Sequence, residues 1–114
     1  MKKRTRAREL VLQVLYQLDL QGDDFIPEMG EFIHEEESDP DTANFALKIA
    51  KGVVVEIETI DKTIREVAQN WDLERMAVID RNILRMATHE LMNLDEIPPK
   101  VSINEAIELG KRFS

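Results

Sequence analysis

The sequence predicts an all-α protein, and three observations carry the prediction. Apolar residues recur with the helical period along almost the whole chain. No segment shows the alternation of a half-buried strand or the turn chemistry of a hairpin. Breaking or capping residues (Gly22, Ser38-Asp39-Pro40, Pro98-Pro99) fall between periodic segments.

The elements follow in order. In the first helix, Ala7, Leu10, Val11, Val14, Leu15 and Leu18 form one buried stripe, with Thr5 as expected N-cap and Gly22 as stop. A short amphipathic piece runs from Pro27 to about Glu36, turning Met29, Phe32 and Ile33 inward. Ser38, Asp39 and Pro40 make a turn into a helix start, because proline suits the first helical position. One long helix is expected from Asp41 to about Gln69, on the stripe Leu47, Ala50, Val54, Ile57, Ile60 (or Asp61), Ile64, Val67 and Ala68. Gly52 is a candidate bend in it, and the β-branched run Val53-Val54-Val55 does not outweigh the surrounding period. Asn70, Trp71 and Asp72 make a turn. A helix from about Leu73 to Leu94 follows, apolar on more than one side and therefore central. After Pro98 and Pro99, Ser102 and Glu105 read as a capping box, and Gly110 as a late interruption of the last helix.

Length and composition narrow the function classes. A chain of 114 residues suits one domain able to bury a core. With no cysteine, disulfides and thiolate metal sites are excluded, which fits a cytoplasmic location. No apolar run reaches membrane-spanning length. The four glycines are scattered, so no phosphate-cradling loop exists, and no nucleophile-elbow motif is present. His34 reads as part of a solvated loop and His89 as an exposed residue on the polar side of its helix, neither with ligand spacing. The expectation is a protein without catalytic residues, metal or cofactor.

The net charge of −8 argues against a polyanionic partner, yet the charge is segregated. Residues 1–8 carry only basic charges (Lys2, Lys3, Arg4, Arg6 and Arg8), and residues 23–41 only acidic ones. The segregation predicts one positive and one negative pole. Lysines and arginines neutralise phosphates, and first-turn amides point the same way. Arg8 and Tyr16 share a helix face and offer planar groups for unstacked bases. The alternative is a solubilising tail with Tyr16 half-buried in the bundle, and the residues alone leave both open. Arg81 and Arg85, at i and i+4, read as ordinary surface charge, or as the far side of one groove if their face lies near the first helix. Asp80 sits at the edge of the apolar stripe, suited to capping, internal pairing or a protein partner, with internal pairing the better reading.

Three blocks resemble the NusB family of bacterial transcription antitermination factors. They are Ala7-Arg8-Glu9-Leu10-Val11-Leu12-Gln13-Val14-Leu15-Tyr16-Gln17, then Asp80-Arg81-Asn82-Ile83-Leu84-Arg85-Met86-Ala87 with Glu90-Leu91, and Ile97-Pro98-Pro99-Lys100-Val101-Ser102-Ile103-Asn104-Glu105-Ala106-Ile107-Glu108-Leu109. The third is the most specific, and the spacing between blocks also fits. The resemblance implies two packed helical subdomains, about 1–70 and 71–114. It implies binding to boxA RNA, the single-stranded leader element of ribosomal RNA operons. It implies a second partner, NusE, a small-subunit ribosomal protein, and a complex with RNA polymerase and other Nus factors that suppresses premature termination. By the resemblance Arg4, Arg6 and Arg8 contact RNA, the helix of Arg81 and Arg85 lies at the RNA surface, and Asp80 lies toward NusE. A homodimer stays open.

The likeness stops at Gly110-Lys111-Arg112-Phe113-Ser114. Family members continue through an acidic-serine turn into a final helix with a Lys-Phe-Val-Asn-Gly-Val-Leu-like core. Without it, at about 1.5–3 kcal/mol per buried apolar side chain, the expectation is lower stability than a full-length relative, or self-association through the exposed patch. The competing reading is the NusB-like N-terminal domain of a ribosomal RNA cytosine methyltransferase.

Overall fold

The structure is a computed structural model that describes residues 2–69 and 72–114. Asn70 and Trp71, on which the expected turn partly rests, lie outside the described residues. Every regular element among those residues is helical, as the periodicity requires. Contacts divide the chain into two compact units, 1–51 and 52–114, so the division falls inside a helix and earlier than residue 70.

The first unit begins with α1, Lys3–Gln21. Its start precedes the expected cap. Lys2 is the N-cap residue and makes no side-chain cap bond, and Thr5 lies inside the helix. The end is as expected: Gly22 takes φ 78°, the left-handed region that glycine enters without steric cost, and its N–H donates to the Leu18 carbonyl. Ala7, Leu10, Val11 and Val14 are fully buried, and the burial extends to the flanking Arg8, Glu9, Leu12 and Leu15. A 3-10 helix, Gly22–Glu28, leads into α2, Met29–Glu36. Phe25, Met29 and Ile33 are buried there, Phe32 is half-buried, and the Phe25 and Phe32 rings meet edge-on at 5.8 Å. His34 is exposed, but on α2 rather than in a loop, with Nδ1 2.7 Å from the Gly30 carbonyl oxygen.

Helix α3, Pro40–Val55, starts where the turn residues place it. Asp39 caps it: Oδ2 accepts from the Thr42 N–H at 3.0 Å and from the Thr42 hydroxyl at 2.8 Å. The single long helix expected onward to Gln69 is two helices. α3 ends at Val55, Glu56 takes a non-helical conformation (φ −106°, ψ 18°), and α4 runs Ile57–Val67. The break therefore falls four residues after Gly52, immediately behind the β-branched run, whose stiff side chains disfavour continuation. The buried faces shift accordingly: Ala43, Ala46, Ile49, Ala50 and Val53 on α3, Ile60 and Ile64 on α4, while Val67 is 82 % exposed.

In the second unit a 3-10 turn, Leu73–Arg75, is capped by Asp72 through Oδ1 at 3.1 Å from the Glu74 N–H. Helix α5, Val78–Asn93, therefore starts five residues later than the pattern suggested. It packs on α4 and on α6, Pro99–Phe113, and is the central element, as its broad apolar coverage predicted. Ser102 is not an N-cap. α6 starts at Pro99, Ser102 is 2 % exposed inside it, and its hydroxyl donates to buried Glu90 Oε1 at 2.8 Å. Gly110 does not interrupt α6, which continues to Phe113. His89 is buried, not exposed: Nδ1 lies 3.3 Å from Glu56 Oε1 and 3.2 Å from Asn93 Nδ2. A Cβ at Gly52 would overlap the His89 ring, so that glycine serves close approach.

Candidate nucleic-acid interface

The start of α1 sets out its basic residues over one and a half turns, and burial sorts them. Lys2, Lys3 and Arg4 are exposed, Arg6 is half-buried, and Arg8 is 2 % exposed. The two charge poles inferred from the sequence meet here, because the turn before α3 brings the end of the acidic stretch to the start of α1. Lys3 Nζ lies 3.4 Å from Asp39 and 3.5 Å from Asp41. Arg6 reaches Glu37 Oε1 at 3.4 Å, the Glu36 carbonyl at 3.4 Å and Glu9 Oε1 at 3.5 Å. Hydrogen bonds and the charge of Asp39, then of Asp41, hold the Lys3 ammonium above its ordinary pKa. The Thr42 hydroxyl and N–H hold the Asp39 carboxyl below its own, with Lys3 adding to the effect.

The remaining cations differ. Neither Lys2 nor Arg4 meets a carboxylate among the described residues. The Arg4 guanidinium lies over the Phe45 ring of α3, 4.2 Å from its centroid, and Arg8 approaches the same ring at 5.8 Å. Tyr16 is 37 % exposed farther along α1, whereas Arg8 and Leu12, on its face, are buried. No pattern marked Phe45. The cue available was one aromatic residue in the helix that opens at Asp39-Pro40, and its nearness to Arg4 is tertiary.

In the second unit, Arg81 and Arg85 are not ordinary surface charge. Arg85 is largely buried and grips Asp61 of α4 with two parallel bonds, Nε to Oδ1 and Nη2 to Oδ2, both 2.9 Å. Its Nη1 donates to Asn82 Oδ1 at 3.2 Å, and Asn82 donates to the Val78 carbonyl at 3.0 Å. Arg81 is half-buried, with Nη1 3.5 Å from the Leu73 carbonyl. Asp80 does not pair internally among the described residues. It stands in the first turn of α5, where a carboxylate complements the exposed amides. Among the described residues no group of His, Asp and Glu could hold a metal ion, and no helix is long and apolar enough to cross a membrane.

Fold and site together define an all-α protein with a cluster of basic residues at the start of its first helix. Residues 5–114 match the NusB family, and the chain belongs to it. The family consists of transcription antitermination proteins, RNA-binding factors and not enzymes. The chain is 46 % identical over 112 residues to the transcription antitermination protein NusB of Anaeromyxobacter sp. (strain Fw109-5), covering 97 % of this chain and 78 % of that one. It superposes on the solved T. maritima NusB with a TM-score of 0.87 at 35 % identity, covering 97 % and 78 %. It also superposes on the NusB of a crystal structure of antitermination factors NusB and NusE in complex with dsRNA, with a TM-score of 0.86 at 28 % identity, covering 100 % and 85 %. The all-α NusB fold is thus shown from both directions.

Proposed function

We propose that this chain binds boxA RNA of ribosomal RNA operons together with NusE, in the cytoplasm, as part of an RNA polymerase antitermination complex with other Nus factors. The observation that supports this best is the likeness, over the whole chain, to a NusB solved with both NusE and RNA. The α1 start supplies the RNA-facing charge. Lys2 and Arg4 meet no carboxylate among the described residues, Lys3 and Arg6 exchange weak ion pairs for phosphates, and exposed Tyr16 offers a ring to an unstacked base. Arg8 and Arg85, both largely buried, each brace their own unit, and half-buried Arg81 is assigned to RNA on the second unit by itself. Asp80 is assigned to the NusE contact.

The test is a fluorescence-anisotropy titration of labelled boxA RNA, with and without NusE. Binding should tighten when NusE is added and weaken steeply with salt, because phosphate contacts release counterions. Lys2→Glu with Arg4→Glu should abolish it at moderate salt and leave the helical circular dichroism unchanged. No binding by the parent chain at low salt in the presence of NusE would sink the reading.

A further inference from the structure

Resting on that reading, we propose that Phe45 is a positioning residue for RNA binding. The aromatic ring on α3 holds the Arg4 guanidinium in place to meet the phosphates of a single-stranded RNA. Among the basic residues of the α1 start, Lys3 and Arg6 spend their donors on Asp39, Asp41, Glu37 and Glu9. Arg4 instead lies 4.2 Å above the Phe45 centroid and has no carboxylate partner among the described residues. A ring quadrupole attracts the cation without consuming its N–H donors. The guanidinium edge therefore keeps its fork of donors for a phosphate while its plane is fixed. Arg4 is exposed, and the ring that seats it belongs to a helix anchored by the Asp39 cap and by buried Ala43, Ala46 and Ile49. Held this way, Arg4 loses less side-chain freedom on binding than a solvated arginine would. Arg8 approaches the same ring at 5.8 Å but is 2 % exposed, so it backs the ring and does not reach solvent.

The experiment measures the affinity of a fluorescein-labelled single-stranded boxA oligoribonucleotide, with NusE present, for the parent chain and for Phe45→Leu, Phe45→Trp, Arg4→Ala and the Phe45→Leu/Arg4→Ala pair. Phe45→Leu should bind about two- to five-fold more weakly, the range of an exposed cation–π contact. Phe45→Trp should restore parent affinity, since it keeps the ring. In the Arg4→Ala background, Phe45→Leu should cost nothing further. Equal affinities for the parent and Phe45→Leu, or an undiminished Phe45→Leu loss when Arg4 is already alanine, would overturn the positioning role and leave the RNA reading standing. If Phe45→Leu does not fold, Arg4→Lys decides. It keeps the charge without the plane, and unchanged affinity overturns the proposal. Failure of the parent chain to bind would remove the RNA reading itself, and this inference with it.

Discussion

Gly52 has no side chain, and the His89 ring fills the space where one would stand. The ring is buried and held by Glu56 and Asn93, so it cannot swing away cheaply. Gly52→Ala should therefore destabilise the second unit by about 1–3 kcal/mol, the range for overpacking a core, despite the helix propensity gained. Urea unfolding monitored by circular dichroism checks this, and an unchanged midpoint would contradict it. Arg85 makes a second case. Removing its partner in Asp61→Ala leaves a largely buried guanidinium without its carboxylate, at about 3–5 kcal/mol. The expected outcome is a lower thermal midpoint for Asp61→Ala, and a smaller loss for a combined Asp61→Leu/Arg85→Met change. Neither residue was legible beforehand. His89 and Arg85 read as surface because periodicity sees only apolar residues, and a polar side chain buried by a specific partner looks the same as a solvated one.

Helix boundaries show the same division at the next scale. The start of α3 was readable, because Asp39 and Pro40 act on the chain within three residues of themselves. Asp39 also carries a pH dependence. Its carboxyl is held below the ordinary value by Thr42, so its stabilisation is complete above about pH 4 and lost as pH falls through the lower folded value. Asp39→Asn should lower the thermal midpoint at neutral pH and make it less sensitive to acid. A parallel acid limb in both proteins would refute the assignment. Lys3 has the opposite sign: its pairing with Asp39 and Asp41 is present below about pH 10 and fades as pH rises past it. The start of α6 misled, since Ser102 and Glu105 have capping-box spacing while Pro98 and Pro99 already begin the helix. What Ser102 does depends on Glu90, twelve residues away. Ser102→Ala should cost about 1–3 kcal/mol, because buried Glu90 loses a donor, against a gain of roughly a few tenths if helix propensity alone mattered. Thermal melts of Ser102→Ala and Ser102→Thr separate these.

At the scale of the molecule, a net charge of −8 and an RNA-binding family are reconciled by where the charges sit. Sequence segregation alone overstated the positive pole, because Glu37, Asp39 and Asp41 fold back onto Lys3 and Arg6. RNA affinity should accordingly depend more on Lys2 and Arg4 than on the count of basic residues. Arg4→Ala should reduce the slope of log affinity against log salt by about 0.7, the value for one phosphate contact on a single strand. Titrations at several salt concentrations measure it, and an unchanged slope would place Arg4 away from the phosphates.

By itself the sequence determined the all-α class, the family, the buried stripe of α1, the stop at Gly22 and the helix start at Ser38-Asp39-Pro40. These rest on period and on contacts between near neighbours, which a linear pattern records. Tertiary structure decided the break at Glu56, the burial of Arg8, Arg85 and His89, the role of Ser102, and which cations at the α1 start meet a carboxylate. The break follows a local β-branched run whose effect the period masked; the others depend on a partner brought close only by folding, and a charge has the same letter whether it faces water, a carboxylate or a ring.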